Sequence, residues 1–264
     1  MFYRKYGTGA PLIILHGLFG SSDNWITVAR SLSGRFTIYL PDQRNHGQSP
    51  HSAVHDYGSM KDDIARFADE LGLEKFFLAG HSMGGRTAMK YALNFPERIN
   101  GLLVADISPF RNMESYHEDR EKHLGILNFM LSADISGISS RSAVESLMKP
   151  AVSQQKTRDL LMKNLKRQHD NSFSWKLNPE ALLQNLEKIM DGIVDDLPEK
   201  TSVTGFPVFF LRGERSWFIR ESDFSNIMKL FPGAEFITIP GAGHWLHHDN
   251  PRAVTECFFR LLDG

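Results

Sequence analysis

The sequence predicts an α/β fold in which a mostly parallel central sheet is flanked by helices. Three observations carry that prediction. Short β-branched or aromatic runs alternate with longer stretches of helical periodicity, the pattern of parallel strands joined by helical crossovers. The strand-like runs are almost continuously hydrophobic, as strands buried on both faces are. Gly80-His81-Ser82-Met83-Gly84 stands where one such run, Phe76-Phe77-Leu78-Ala79, gives way to helix-like sequence, the setting of a sharp strand-to-helix turn.

In chain order, Leu12 to His16 reads as a buried strand, Ser22 to Leu32 as a helix and Phe36 to Pro41 as the next strand. Met60 to Leu71 is helical, Phe76 to Gly80 a strand, Gly85 to Asn94 a helix and Leu102 to Ile107 a strand; Gly or Pro closes several of the helices. From about Arg111 to Val203 the rhythm breaks: strand-like runs are lacking, and apolar residues such as Leu124, Leu127, Met130 and Leu131 follow helical spacing. So long a loop without structure is improbable inside a compact domain, so this stretch is expected to form several helices lying over the sheet. The alternation resumes with strands Pro207 to Arg212 and Glu235 to Ile239 and helices Glu221 to Phe231 and Pro251 to Leu262. The expected organisation is a core of residues 1–110 and 204–264 with a helical cap, 111–203, inserted after the strand ending at Asp106.

The totals narrow the function. A 264-residue chain with 41% hydrophobic and 23% charged residues is an ordinary globular composition. The net charge of −1 favours no polyanionic partner, and the basic stretches Lys163 to Arg167 and Arg111 to Arg120 are interleaved with apolar or acidic residues, so nucleic-acid binding is not expected. The single cysteine, Cys257, has no intrachain disulfide partner and reads as a packing residue. No run approaches the ~18 apolar residues of a membrane span, and the first residues lack a long apolar core, which points to the cytoplasm. No H-E-x-x-H spacing appears, and neither a metal nor a cofactor is expected.

Chemistry centres on Ser82. A serine hydroxyl is a weak nucleophile at neutral pH, so it requires a base within hydrogen-bond reach, and the base requires an acid that fixes its tautomer. Of the eleven histidines, His244 is the candidate base, because Gly241-Ala242-Gly243-His244-Trp245 follows the last strand and G-x-S-x-G hydrolases use the chain order Ser, acid, His. His247 and His248 read as surface or rim residues, and His81 as a residue that packs or holds the turn. The position commonly holding the acid, after the penultimate strand, carries Ser216, whose hydroxyl supplies no negative charge. Asp106, at the end of the strand after the nucleophile helix, is the candidate acid. Glu214 is the rival, and a capping role before Pro109 is the structural alternative for Asp106. Ser216 then orients Asp106 or His244. For the oxyanion, the amides of Met83 and Leu18 are the candidates, with Phe19 as alternate to Leu18 in the glycine-flanked turn His16-Gly17-Leu18-Phe19-Gly20-Ser21. Asp42 to Ser49 suits a hydrogen-bonded turn. Phe19, Arg86 and Trp217 are candidate substrate-binding residues. The insertion's Phe129, Met130, Leu131, Phe173 and Trp175 suit either an acyl chain or a core.

His16 to Trp25, Asp42 to Ser49, Gly80 to Gly85 and Asp106-Ile107-Ser108-Pro109 together resemble the YbfF-like esterase and acyl-CoA thioesterase group of the α/β-hydrolase superfamily, with its mammalian abhydrolase relatives. The resemblance spans nearly all of the chain except the insertion. It implies a serine hydrolase that cleaves carboxylic esters or acyl-CoA thioesters, with a small-molecule substrate. It also implies an acid after the strand following the nucleophile helix and a serine near the usual acid position, features that Asp106 and Ser216 match. Arg86 instead resembles the substrate-carboxylate arginine of the menaquinone-pathway 2-succinyl-6-hydroxy-2,4-cyclohexadiene-1-carboxylate synthase. That likeness implies a lyase-type elimination as the alternative, although that enzyme's acid lies where this chain has Ser216.

Overall fold

A computed structural model describes residues 1–111, 113–195, 197–198 and 201–263. Asn112, Asp196, Glu199 and Lys200 of the predicted insertion, and Gly264 at the end of the predicted core, lie outside the described residues. The first half of the chain forms strands β1 (Tyr3–Tyr6), β2 (Ala10–Leu15), β3 (Phe36–Pro41), β4 (Phe76–His81) and β5 (Ile99–Ala105). Helices α1 (Ile26–Leu32), α2 (Tyr57–Glu70) and α3 (Met83–Asn94) alternate with them. Next come α4 (Tyr116–Ser132), α5 (Arg141–Met148), α6 (Gln155–Lys163), a short hairpin β6 (Leu165–Arg167) and β7 (Phe173–Trp175), α7 (Pro179–Gln184) and α8 (Leu186–Met190). The chain closes with β8 (Val208–Gly213), α9 (Glu221–Leu230), β9 (Ala234–Ile239), α10 (Leu246–Asp249) and α11 (Pro251–Asp263).

Among the described residues, seven strands form one sheet in the order β1-β3-β2-β4-β5-β8-β9. Only the edge strand β1 runs antiparallel, against β3; the other pairings are parallel. Side chains alternate across the pleat, so one strand feeds two cores. Ile13, Leu15, Leu78, Val104 and Phe210 pack with Met60, Ile64 and Met89 of α2 and α3 on one face. Leu12, Ile14, Ala79, Leu103 and Leu211 pack with Val28, Ala29 and Phe258 of α1 and α11 on the other. Each fully buried aliphatic side chain contributes about 1.5–3 kcal/mol, which is why both layers of helices are held to the sheet.

The structure departs from the sequence reading in several places. β1 was not anticipated, because the short polar-apolar run Tyr3-Arg4-Lys5-Tyr6 is half exposed at a sheet edge. The helix expected from Ser22 begins as a 3-10 turn, Ser22–Trp25, before α1. α2 starts earlier than its apolar periodicity, at Tyr57, because the Asp56 carboxylate caps it by accepting from the Ser59 amide at 2.8 Å. The insertion is not purely helical. The β6–β7 hairpin turns through Asn171, at φ +67°, and Asp170 Oδ1 accepts from the Ser172 amide at 2.9 Å. Three-residue strands are too short to reveal a period of two, whereas Asp-Asn is a turn former that tolerates the left-handed region. No described helix is long and apolar enough to cross a membrane.

Candidate active site

The parallel sheet converts chain order into spatial proximity. Leu18 follows β2, Ser82 follows β4, Asp106 follows β5, Ser216 follows β8 and His244 follows β9, and these five strands are consecutive neighbours in the sheet. Adjacent strands lie about 4.8 Å apart, so one row of carboxyl ends gathers all five residues. In-register pairing of His81 with Ala105, and of Ala105 with Leu211, brings Ser82 and Asp106 to the same level.

At the elbow, Ser82 takes φ +53° and ψ −121°, a sparsely populated conformation. Such backbone costs about 1–3 kcal/mol and persists where the surroundings determine it. The Ser82 amide donates to Ala105 O at 3.0 Å, and its carbonyl accepts from the Arg86 amide at 3.1 Å, the first turn of α3. Glycine is obligatory beside it. A Cβ on Gly80 would lie 2.1 Å from the Gly84 carbonyl oxygen, and one on Gly84 would lie 2.5 Å from His16 O.

Asp106, at φ +54°, is wholly buried. Its Oδ1 accepts from the Gly213 amide at 2.9 Å, while Oδ2 accepts from His244 Nδ1–H at 2.8 Å and from the Ser216 hydroxyl. A carboxylate on Nδ1 holds the proton there and leaves His244 Nε2 as the free lone pair. Two further contacts fix the imidazole. Phe218 stacks on it with centroids 4.0 Å apart, and His81 Nε2–H donates to the His244 carbonyl at 2.8 Å across the elbow. Burial, followed by the neighbouring His244, keeps the His81 pKa well below the ordinary histidine value, so it acts as a neutral strut. Glu214 is exposed, and its Oε2 accepts from the Gly241 amide at 2.7 Å; Asp106 rather than Glu214 meets His244. Among the described residues the Ser82 hydroxyl has no hydrogen-bond partner; contacts of this kind commonly tighten only around a substrate.

The turn after β2 is held by neutral histidines. His46 Nε2 accepts from the Phe19 amide at 3.2 Å, and His16 Nε2 accepts from the Gln43 amide at 2.9 Å. Burial lowers both pKa values, that of His46 further because His16 and His55 lie close. Only a neutral imidazole has the lone pair these amides need. Phe19 N–H is committed to His46, whereas Leu18 N–H has no acceptor among the described residues; Met83 N–H, in the first turn of α3, likewise has none. Asp42 is structural, its carboxylate accepting from the Ser22 amide at 2.7 Å and the Gln48 amide at 2.9 Å.

A cavity of about 430 Å³ opens over these groups. Its walls include Leu18, Phe19, Ser82, Trp217 and His244 from around the sheet edge and His123, Ile126, Val152 and Leu160 from the insertion. Asn164 of the insertion also donates to the Phe19 carbonyl at 2.7 Å, tying the two parts together. Phe218, in the loop after β8, and His123, on α4, carried no sequence signal, since neither belongs to a motif and a single ring outside a motif reads as packing. Among the described residues no cluster of three or more His, Cys, Asp or Glu could hold a metal.

Two expectations are corrected. Arg86 is buried and does not line the cavity; its guanidinium donates to the carbonyls of Ser108, Phe110, Ile189, Met190 and Asp191, joining α3 to the segment before α4 and to the C-terminal end of α8. An arginine whose donors are satisfied by backbone is a structural bolt, and the feature that suggested a lyase-type elimination is thereby accounted for. His247 lines the cavity but is not a surface residue: it is buried and stacks on Trp25 at 4.4 Å, and burial pushes its pKa down to about 3, whereas His248 is exposed.

Comparison with known proteins agrees with this architecture. A family model for the alpha/beta hydrolase fold matches residues 10–129. The chain is 36% identical over 249 residues to the sn-1-specific diacylglycerol lipase ABHD11 of Danio rerio, covering 93% of this chain and 76% of the relative. It is 30% identical over 254 residues to the esterase YbfF of Escherichia coli, covering 96% and 93%. Among solved structures, a marine microorganism esterase superposes with a TM-score of 0.92 at 38% identity, covering 98% of both chains.

Proposed function

The chain belongs to the α/β-hydrolase family, in the group of YbfF-like esterases, and within it we propose that this protein hydrolyses carboxylic esters or acyl thioesters through an acyl-enzyme on Ser82. The observation that carries this reading is the 2.8 Å contact of His244 Nδ1 with the wholly buried Asp106 carboxylate, in the wall of the cavity onto which Ser82 opens. Ser82 Oγ attacks the acyl carbon as His244 Nε2 takes its proton. The developing imidazolium is stabilised by Asp106, which Ser216 and the Gly213 amide hold in place. The tetrahedral oxyanion accepts from Leu18 N–H and Met83 N–H, each donor worth about 3 kcal/mol to the transition state. Collapse breaks the bond to the alcohol or thiol, which leaves with the proton from His244 Nε2. Water, deprotonated by the same nitrogen, then attacks the acyl-enzyme; the bond to Ser82 Oγ breaks, Nε2 returns its proton to Oγ, and the acid is released. In this reading residues 1–110 and 204–264 are the catalytic core, and 111–203 form the cap that completes the pocket.

Ser82→Ala should abolish p-nitrophenyl butyrate hydrolysis by about 10⁴-fold or more and prevent labelling by a fluorophosphonate. Full activity in the purified variant would overturn the assignment.

A further inference from the structure

Helix α4 presents Asp119, Lys122, His123 and Ile126 to the cavity, at the i, i+3, i+4 and i+7 spacing of a single helical face. The stripe is graded. The Lys122 side chain is 41% exposed, and its ammonium lies 6.0 Å over the ring of the exposed Trp217, which marks the mouth. Ile126 is buried and, with Val152 and Leu160, makes an apolar end. The apolar end, Ile126, Val152 and Leu160, suits a hydrocarbon acyl chain, and the polar end of the stripe suits a polar alcohol.

His123 sits at the boundary, its ring 5.7 Å from that of Phe19. Its Nδ1 is buried without a partner, which leaves Nε2 as the nitrogen open to the cavity. An orphaned buried N–H is rarer than an underused acceptor, so the proton belongs on Nε2. Burial pushes the His123 pKa down to about 4, with Asp119 opposing and His244 and Lys122 reinforcing the shift, so the ring is a neutral donor at pH 7.

We propose that His123 is a substrate-binding residue whose Nε2–H donates to an oxygen in the alcohol part of the ester, selecting esters of hydroxylated alcohols over esters of plain alkanols. The inference rests on the ester-hydrolase reading above. Its test uses the purified full-length protein and two esters of one acid, glyceryl monobutyrate and butyl butyrate. His123→Phe should lower kcat/KM for the glyceryl ester about tenfold, mainly through KM, and leave butyl butyrate within about twofold. His123→Gln, which keeps a donor, should restore most of the preference; if Phe at 123 fails to fold, His123→Leu carries the same comparison. Equal losses on both esters, or no loss on either, would overturn the role of His123 while leaving Ser82 untouched. Wild-type rates on both esters in Ser82→Ala would instead overturn the hydrolase reading, and the inference with it.

Discussion

Replacing Asp106 by Asn changes one atom in shape but inverts the hydrogen-bond logic of the site. Oδ1 accepts from the Gly213 amide and Oδ2 accepts from two donors, His244 Nδ1–H and the Ser216 hydroxyl. In Asp106→Asn the carbonyl oxygen keeps the Gly213 amide, so the NH₂ group faces His244. A neutral imidazole meeting a donor at Nδ1 must carry its proton on Nε2, the nitrogen that has to accept from Ser82. The variant thus loses both the general base and the charge that stabilises the imidazolium. The expected fall in kcat is about 10⁴-fold, or about 5 kcal/mol, with KM little changed. Steady-state hydrolysis of p-nitrophenyl butyrate measures it, and far-ultraviolet circular dichroism checks that the buried amide is accommodated. Ser216→Ala removes one of three donors to Oδ2 and Oδ1 and should cost about tenfold. Glu214→Gln serves as the comparison and should stay within about twofold. Retention of a tenth or more of kcat by Asp106→Asn, or a larger loss in Glu214→Gln, would refute the reasoning.

Arg86→Met leaves five backbone carbonyls without their buried donor and should destabilise the protein by about 3–5 kcal/mol, lowering Tm on the order of 10 °C, while KM for p-nitrophenyl butyrate stays within about twofold. A raised KM at unchanged Tm would instead return Arg86 to the substrate. The buried neutral histidines set an acid limit. His55 and His247 take up protons in the unfolded chain as pH falls through about 6.5, whereas burial holds their folded-state pKa near about 4 and about 3. The unfolded state binds more protons in that window, so stability is full above pH 6.5 and is lost as pH falls toward 4, by up to about 3 kcal/mol from His55. Urea midpoints between pH 7 and 4 should fall accordingly, and less so in His247→Phe; a flat profile would count against buried neutral imidazoles.

The alternation of apolar runs with helical periods, together with the elbow, determined the α/β class and the parallel sheet, because strand burial on both faces and the glycine demand of a tight turn are local constraints written in residue type. The same locality made Ser82 and the loop of His244 readable as candidates and made Asp106 the candidate acid with Glu214 as its rival. The contacts of the two carboxylates belong to the tertiary structure: the order β4-β5-β8-β9 inserts Asp106 between Ser82 and Ser216, so its carboxylate meets His244 while Glu214 turns toward Gly241. The bonding of Arg86 and the burial of His247 were not legible for a related reason, since the carbonyls that bind one and the Trp25 ring that covers the other are distant in sequence. What the sequence by itself determined were features set by neighbours along the chain. Only the folded structure decided which side chain faces which, because packing and hydrogen bonding between distant segments follow from strand order, which no local pattern encodes.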